Sequence, residues 1–428
     1  MSECLYYEEN DYKLYKGKMQ DILSNEIQNE SIDCIITDPP YELNFMGKGW
    51  DNSGVAFSKE TWECCFKALK RGGYLLAFGG SRTFHRIACA IEDAGFEIRD
   101  CIMWLYGSGF PKSNDIGLKI DKKNGVDNKT GKILTNGVGK SDCIVNIASG
   151  NHNKYFERKA QNEWGGWGTA LKPAYEPILV ARKPIEGSLV DNIIKCRVGG
   201  INIDECRVEN TNADNYDLEK RKVSKATGFN NDGRFLDKLH NYNAKHGVVD
   251  NGRFPANVIT DGSEEVGEGM EEENAMRYFY CAKASTKDRD EGLENFEEVQ
   301  ISDGSIRSNK ETGRKFGANP AVKRNIHPTV KPVELMQYLV RLVAPKGATI
   351  LDCFMGSGST GKAVMFENRE RNANYKFIGI EMTEQYLPIA KSRIDYAKNK
   401  YIYEELKEKE ERKSKGIPNI FDIMENEE

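Results

Sequence analysis

The sequence predicts an α/β fold with a mostly parallel sheet, and three observations carry that expectation. Short apolar runs bounded by Gly or Pro alternate with amphipathic stretches, both early and late in the chain. One run, residues 31–37, ends in Asp38-Pro39-Pro40-Tyr41. Another, residues 348–352, leads into Gly356-Ser357-Gly358-Ser359-Thr360-Gly361.

Each element follows from local composition. Residues 31–37 (SIDCIIT) read as a buried strand, closed by two prolines that cannot continue a hydrogen-bonded ladder. Residues 73–79 (GYLLAFG) are a second strand with glycine at both ends. A helix over about 81–94 and strands near 96–105 and over 176–182 follow. In the last third, 334–343 is an amphipathic helix with Leu335, Leu339 and Leu342 on one stripe and Pro332 at its first turn. Strands over 348–352 and 376–381 are each followed by a helix, about 359–368 and 384–398. Residues 107–172, rich in Gly, Asn and Lys, are expected as a long loop, and 187–325 as an inserted small domain. The chain therefore divides into a first half of the main domain (1–186), the insertion (187–325), a second half (326–400) and a charged tail (401–428) that reads as solvated helix or disorder.

Composition narrows the class. The 428 residues suggest two to three domains, or one large domain with insertions, and 39% hydrophobic with 30% charged residues excludes collagen-like or wholly disordered chains. There is no run of 18 apolar residues and no apolar signal core after Met1, so neither a membrane nor an export role is expected and the location expected is cytoplasmic. Eleven Cys without any C-x-x-C argue against a disulfide framework or zinc ribbon and for reduced, mostly buried thiols; no metal site is expected. The net charge is −5, but Arg307, Lys310, Arg314, Lys315, Lys323, Arg324 and Lys331 form a basic run suited to a polyanion. His85 and His152 read as surface or structural residues, and Trp164 and Trp167 as loop packing.

Two motifs carry chemistry. The glycine turn lets backbone approach a ligand at a helix N-terminus, where free N–H groups favour polar oxygen atoms. Glu381 ends the next strand, where a carboxylate can bond the ribose of an adenosine-containing cofactor. Too little apolar chain follows Glu381 to complete a doubly wound sheet, so the missing strands must come from the N-terminal half. Asp38-Pro39-Pro40-Tyr41 holds a carboxylate, a carbonyl without a competing N–H and an aromatic face at a strand end, the groups that an exocyclic amine on a planar base requires. A nicotinamide dehydrogenase and a catalytically silent DNA-binding module remain alternatives on these features.

Asp38-Pro39-Pro40-Tyr41 and Phe354-Met355-Gly356-Ser357-Gly358 resemble the two signature motifs of amino-group DNA methyltransferases, and their order resembles the permuted β class. His327-Pro328-Thr329-Val330-Lys331-Pro332 resembles the segment preceding the cofactor strand, and Lys172-Pro173-Ala174-Tyr175-Glu176-Pro177-Ile178 a segment of phage and prophage adenine methylases. The resemblance implies a permuted Rossmann-like S-adenosylmethionine-dependent fold, an inserted target-recognition region in 187–325 and double-stranded DNA as partner, with a homodimer as a further expectation. It implies that Phe354, Gly356 and Gly358 shape the cofactor pocket with Asp352 beneath it, and that Glu381 holds the ribose. It places Thr329 and Lys331 near the methionine moiety, with Lys331 on its carboxylate, and makes His327 a further cofactor-binding residue. Asp21 resembles the contact to the cofactor adenine, although Lys18-Met19-Gln20 interrupts the usual Gly-Asp pair. Asp38 in the first motif position points to adenine, where Ser usually accompanies cytosine; N4 of cytosine is the alternative target. The sequence contains no Pro-Cys pair, as a cytosine carbon methyltransferase would need, and no H-x-E pattern of a zinc deaminase.

Overall fold

The computed structural model describes residues 3–43, 49–107, 109, 113–134, 155–208, 252–263, 266, 278–300 and 322–414. It divides into two compact units, residues 107–174 and the remainder.

The larger unit opens with β1 (Leu5–Glu8), β2 (Tyr12–Lys16), α1 (Met19–Asn25), β3 (Ile32–Thr37), α2 (Lys59–Ala68), β4 (Leu69–Phe78), α3 (Phe84–Asp93) and β5 (Glu97–Leu105). The smaller unit carries α4 (Ile116–Lys123) and the antiparallel pair β6 (Lys129–Leu134) and β7 (Tyr155–Arg158). The larger unit resumes with β8 (Tyr175–Arg182), α5 (Leu189–Cys196), β9 (Val258–Thr260), β10 (Phe279–Tyr280), α6 (Thr286–Asp290), β11 (Val299–Gln300) and β12 (Val322–Lys323). It closes with α7 (Val333–Val343), β13 (Thr349–Asp352), α8 (Ser359–Arg371), β14 (Lys376–Glu381) and α9 (Leu387–Ser414).

Among the described residues one large sheet has the order β1-β2-β14-β13-β3-β4-β8-β5-β9-β10. The β2-β14-β13-β3-β4 block is parallel throughout, while β8 runs against both β4 and β5. Strands from the two ends of the sequence thus alternate at the centre of the sheet, with β13 paired to β3 through Ile350–Cys34 and Leu351–Ile35. Side chains follow the period of two. Cys34, Ile36, Leu76 and Ile350 pack with Leu339, Val364 and Ile394 of α7–α9 on one face. Ile35, Leu75 and Leu351 pack with Ile22, Trp62 and Ile87 of α1–α3 on the other.

Several expectations change. The segment 107–172, expected as a long loop, forms a helix and a strand pair, with Asp115 capping α4 through Leu118 N–H at 2.8 Å. Short polar strands there lack the apolar alternation that would have announced them. Trp164 and Trp167 meet edge-on at 5.2 Å while staying exposed. The region 187–325 is not wholly separate, since β9 and β10 extend the main sheet beside β5. Most of the basic run lies outside the described residues, and Arg324 pairs with Glu298 at 2.8 Å. His152 also lies outside them; His85 is exposed. Of the described cysteines, all free, Cys34, Cys65, Cys206, Cys281 and Cys353 are buried and as many are not. Among the described residues no helix is long and apolar enough to cross a membrane.

Candidate active site

The site lies where open α/β sheets bind ligands, beyond the carboxyl ends of the parallel strands. The ends of β3, β13, β14 and β4 bring Asp38, Asp352, Glu381 and Gly80 to one edge. Because β8 is antiparallel, its first residues, Tyr175 and Glu176, reach that same edge.

The two expected motifs meet through β3 and β13. Thr37 Oγ1 donates to Asp352 Oδ1 at 2.7 Å and accepts from Phe354 N–H at 3.2 Å. Thr360 Oγ1 donates to Asp352 Oδ2 at 2.6 Å. Asp352 is thus a buried strut that ties β3, the glycine turn and the start of α8 together. Desolvation pushes its carboxyl up to about 6, although these bonds favour the ionised form.

The turn itself requires glycine at two points. Gly356 has φ +53°, and a Cβ there would lie 2.8 Å from His327 Nε2. Gly358, the N-cap of α8, has φ +76°, and a Cβ would lie 3.0 Å from Ala390. His327 is itself held edge-on to Tyr386 at 4.6 Å, and burial pulls its imidazole down to about 3, so the ring is neutral. Behind the turn, fully buried Arg393 donates to the Ser357 carbonyl at 2.7 Å and to Ser357 Oγ and Ser359 Oγ at 3.1 and 3.2 Å. Glu381 accepts from Gly356 N–H at 2.8 Å and Thr383 N–H at 2.6 Å; burial raises its carboxyl against those bonds. Phe354 packs edge-on to Trp62 at 6.5 Å. Thr329 is exposed. Asp21 is exposed in the first turn of α1, which follows β2, the parallel neighbour of β14.

Beside this turn stands the Asp38-Pro39-Pro40-Tyr41 loop. Asp51 fastens it, accepting from Glu42 N–H at 2.9 Å and Leu43 N–H at 3.2 Å. The absence of a side chain at Gly80 makes room for the Tyr41 ring, since a Cβ would lie 3.2 Å from its Cδ2. Lys331, expected near a methionine carboxylate, reaches this loop. Its Nζ lies 2.5 Å from Asp38 Oδ2 and 3.5 Å from Glu176 Oε2, because two half-buried carboxylates draw in the nearest counter-charge. Its backbone carbonyl accepts from Ser359 Oγ at 2.9 Å, so one residue spans both motifs. The ammonium also sits over the Tyr41 and Phe78 rings, at 5.4 and 4.9 Å. Burial raises the Asp38 carboxyl; Lys331 opposes that and Glu176 adds to it. Burial alone would lower Lys331, but the two carboxylates more than offset it and the amine stays protonated. Among the described residues, Asp38 Oδ1 is buried with no hydrogen-bond partner.

Sequence analysis missed Glu176, Thr37, Thr360, Tyr106 and Arg393 as site residues. Glu176 alone had a legible signal, a carboxylate placed just before a fully apolar strand run. Arg393 had none, because its role depends on how α9 crosses the turn.

A family model described as DNA methylase, of the N6/N4 methyltransferase type, matches residues 32–392. The type II methyltransferase M.HindIII of Haemophilus influenzae is 22% identical over 47% of this chain and 65% of its own length. The type II methyltransferase M.BglI of Bacillus subtilis is 39% identical over 18% of this chain and 20% of its own. The DNA adenine methyltransferase YhdJ of Escherichia coli is 35% identical over 21% of this chain and 29% of its own. The chain therefore spans less than two thirds of the length of these relatives. The solved PvuII DNA methyltransferase, cytosine-N4-specific, is 13% identical over 90% of this chain and 87% of its own, at a TM-score of 0.42, too low to argue from. The family match covers both motifs and the strands that join them, and on that match the chain belongs to the N6/N4 DNA methylase family.

Proposed function

We propose that the protein is a site-specific DNA methyltransferase that moves a methyl group from S-adenosylmethionine to the exocyclic amine of adenine in double-stranded DNA. The observation that carries this reading is Asp38: one oxygen capped by Lys331, the other buried and free to accept a hydrogen bond.

The residues present suit the cofactor. The cradle between Gly356 and His327, which a Cβ would fill, admits a close backbone approach. Phe354 adds an apolar wall, and Glu381 offers acceptors for ribose hydroxyls. S-adenosylmethionine supplies an electrophilic methyl group on a sulfonium. The chain's own groups do the rest. Tyr41 stacks on a base that has left the duplex, an interaction worth ~1–3 kcal/mol against a flipping cost of a few kcal/mol. Asp38 Oδ1 and the Pro39 carbonyl accept from the amine, drawing its lone pair out of conjugation with the ring. Transfer is direct, and the contributions are positioning and fixed charge. A carboxylate accepts a stronger bond than a hydroxyl and so favours polarisation of the amine. Cytosine N4 is the second reading, because the same acceptors would serve its amine. Sequence choice falls to the 187–325 region, where base-edge contacts can discriminate by ~1–3 kcal/mol per base pair.

The test is transfer from labelled S-adenosylmethionine to duplex DNA, followed by nucleoside digestion and mass spectrometry. N6-methyladenine is expected. Label on cytosine overturns the base assignment, and no label in DNA overturns the function.

A further inference from the structure

Glu176 enters the crevice from the opposite chain direction to Asp38, because β8 runs against β4 and β5. Three groups from separate stretches of backbone converge on its carboxylate. Tyr41 Oη donates to Oε2 at 3.1 Å, Tyr106 Oη donates to Oε1 at 3.4 Å, and Lys331 Nζ lies 3.5 Å from Oε2. Lys331 is the only one of the three with a long flexible stem. With a second carboxylate pulling on it, its ammonium rests on the Oδ2 side of Asp38. With Asp38 as sole partner it would be free to straddle both oxygens, and Oδ1 would no longer be open to a substrate amine.

We propose that Glu176 is a positioning residue for methyl transfer: it holds Lys331 to one side of Asp38, and the Tyr41 ring by its hydroxyl, so that Asp38 Oδ1 stays available. This deepens the methyltransferase reading and rests on it. Among the described residues, the charged or titratable groups facing Asp38 are Lys331 from the segment before α7, Glu176 from β8, Asp352 from β13 and the Tyr41 phenol from its own loop. Glu176 is faced in addition by Tyr106 from the end of β5 and by Lys283, whose Nζ lies 3.5 Å from the Tyr106 ring centre.

The experiment compares the full chain with Glu176→Gln and Glu176→Asp, measuring methyl transfer to duplex DNA across pH, with melting curves for each protein. Glu176→Gln is expected to lower kcat about tenfold or more while KM for DNA and S-adenosylmethionine stays within about twofold, as when a reacting group is misplaced but binding is intact. Removing a neighbouring negative charge also makes Asp38 easier to ionise, so the acid limb of the kcat profile moves to lower pH. Glu176→Asp keeps the charge and shortens the reach; it should keep the wild-type limb and lose a smaller part of kcat. A Gln variant with wild-type kcat overturns the proposal. So does a fall in kcat that tracks a lower melting temperature with an unmoved limb, since that marks a merely structural role. Should the Gln variant not fold, wild-type kcat in Glu176→Asp overturns it. An inactive wild-type chain would instead overturn the methyltransferase reading, and this inference with it; an active wild type beside an unaffected Gln variant overturns this inference alone.

Discussion

Thr37 and Asp352 stand 315 positions apart in the chain and share a buried hydrogen bond of 2.7 Å. That bond joins the strand that ends in the Asp-Pro-Pro-Tyr loop to the strand that ends in the glycine turn. Thr37→Val removes the donor to buried Asp352 and one of the two acceptors of Phe354 N–H, which keeps Asp352 Oδ1 at 3.2 Å. A loss of about 1–3 kcal/mol in urea unfolding is expected. Cofactor affinity should fall in the same variant, because the turn loses its tie to β3. Wild-type values for both would separate the two motifs energetically.

Asp38→Ala should bind S-adenosylmethionine and duplex DNA nearly as the wild type does, yet lose most turnover. Lys331 retains Glu176 as a partner, so the variant is expected to fold. Tyr41→Ala should lose turnover together with base extrusion, which 2-aminopurine fluorescence at the target position reports. Undiminished turnover by Asp38→Ala removes the carboxylate from the mechanism.

Glu381→Ala should weaken S-adenosylmethionine binding by roughly 1.5–3 kcal/mol, the scale of charge-assisted bonds to a ligand hydroxyl. The variant also frees Gly356 and Thr383 N–H groups, so Glu381→Gln, which retains an acceptor oxygen, should lose less. Titration calorimetry on folded protein decides it, and equal affinities in all three proteins would take Glu381 out of the site.

His327 links stability to pH. Its folded pKa of about 3 lies below the ordinary 6.5. A group depressed on folding adds stability that is complete above its unfolded pKa and is lost as pH falls towards its folded pKa. The urea midpoint should therefore decline from about pH 6.5 downward to about pH 3 through this residue. His327→Asn should flatten part of that decline; an identical slope in the variant would assign the acid sensitivity to other groups.

Much of the fold was legible because its strands are fully buried and bounded by residues that break ladders. The 376–381 strand coincides with the expected one, and the helix expected over 334–343 begins one residue earlier. Composition said less where polar chain folds, as in α4 with β6 and β7, and where a two- or three-residue strand is completed only by its neighbour, as in β9 and β10. Both signature motifs, and the need for the two sequence halves to share one sheet, followed from the residues alone. Proline can stiffen a strand end, and glycine can line a close approach, without reference to distant chain. What only the tertiary structure decided is which charges meet. Lys331 lies between Asp38 and Glu176, and Arg393 braces the glycine turn from a helix that follows it. Such pairings depend on strand order and direction, above all on β8 running backwards, and on the strength of Coulomb attraction once water is excluded. Neither quantity has a local signature in the sequence.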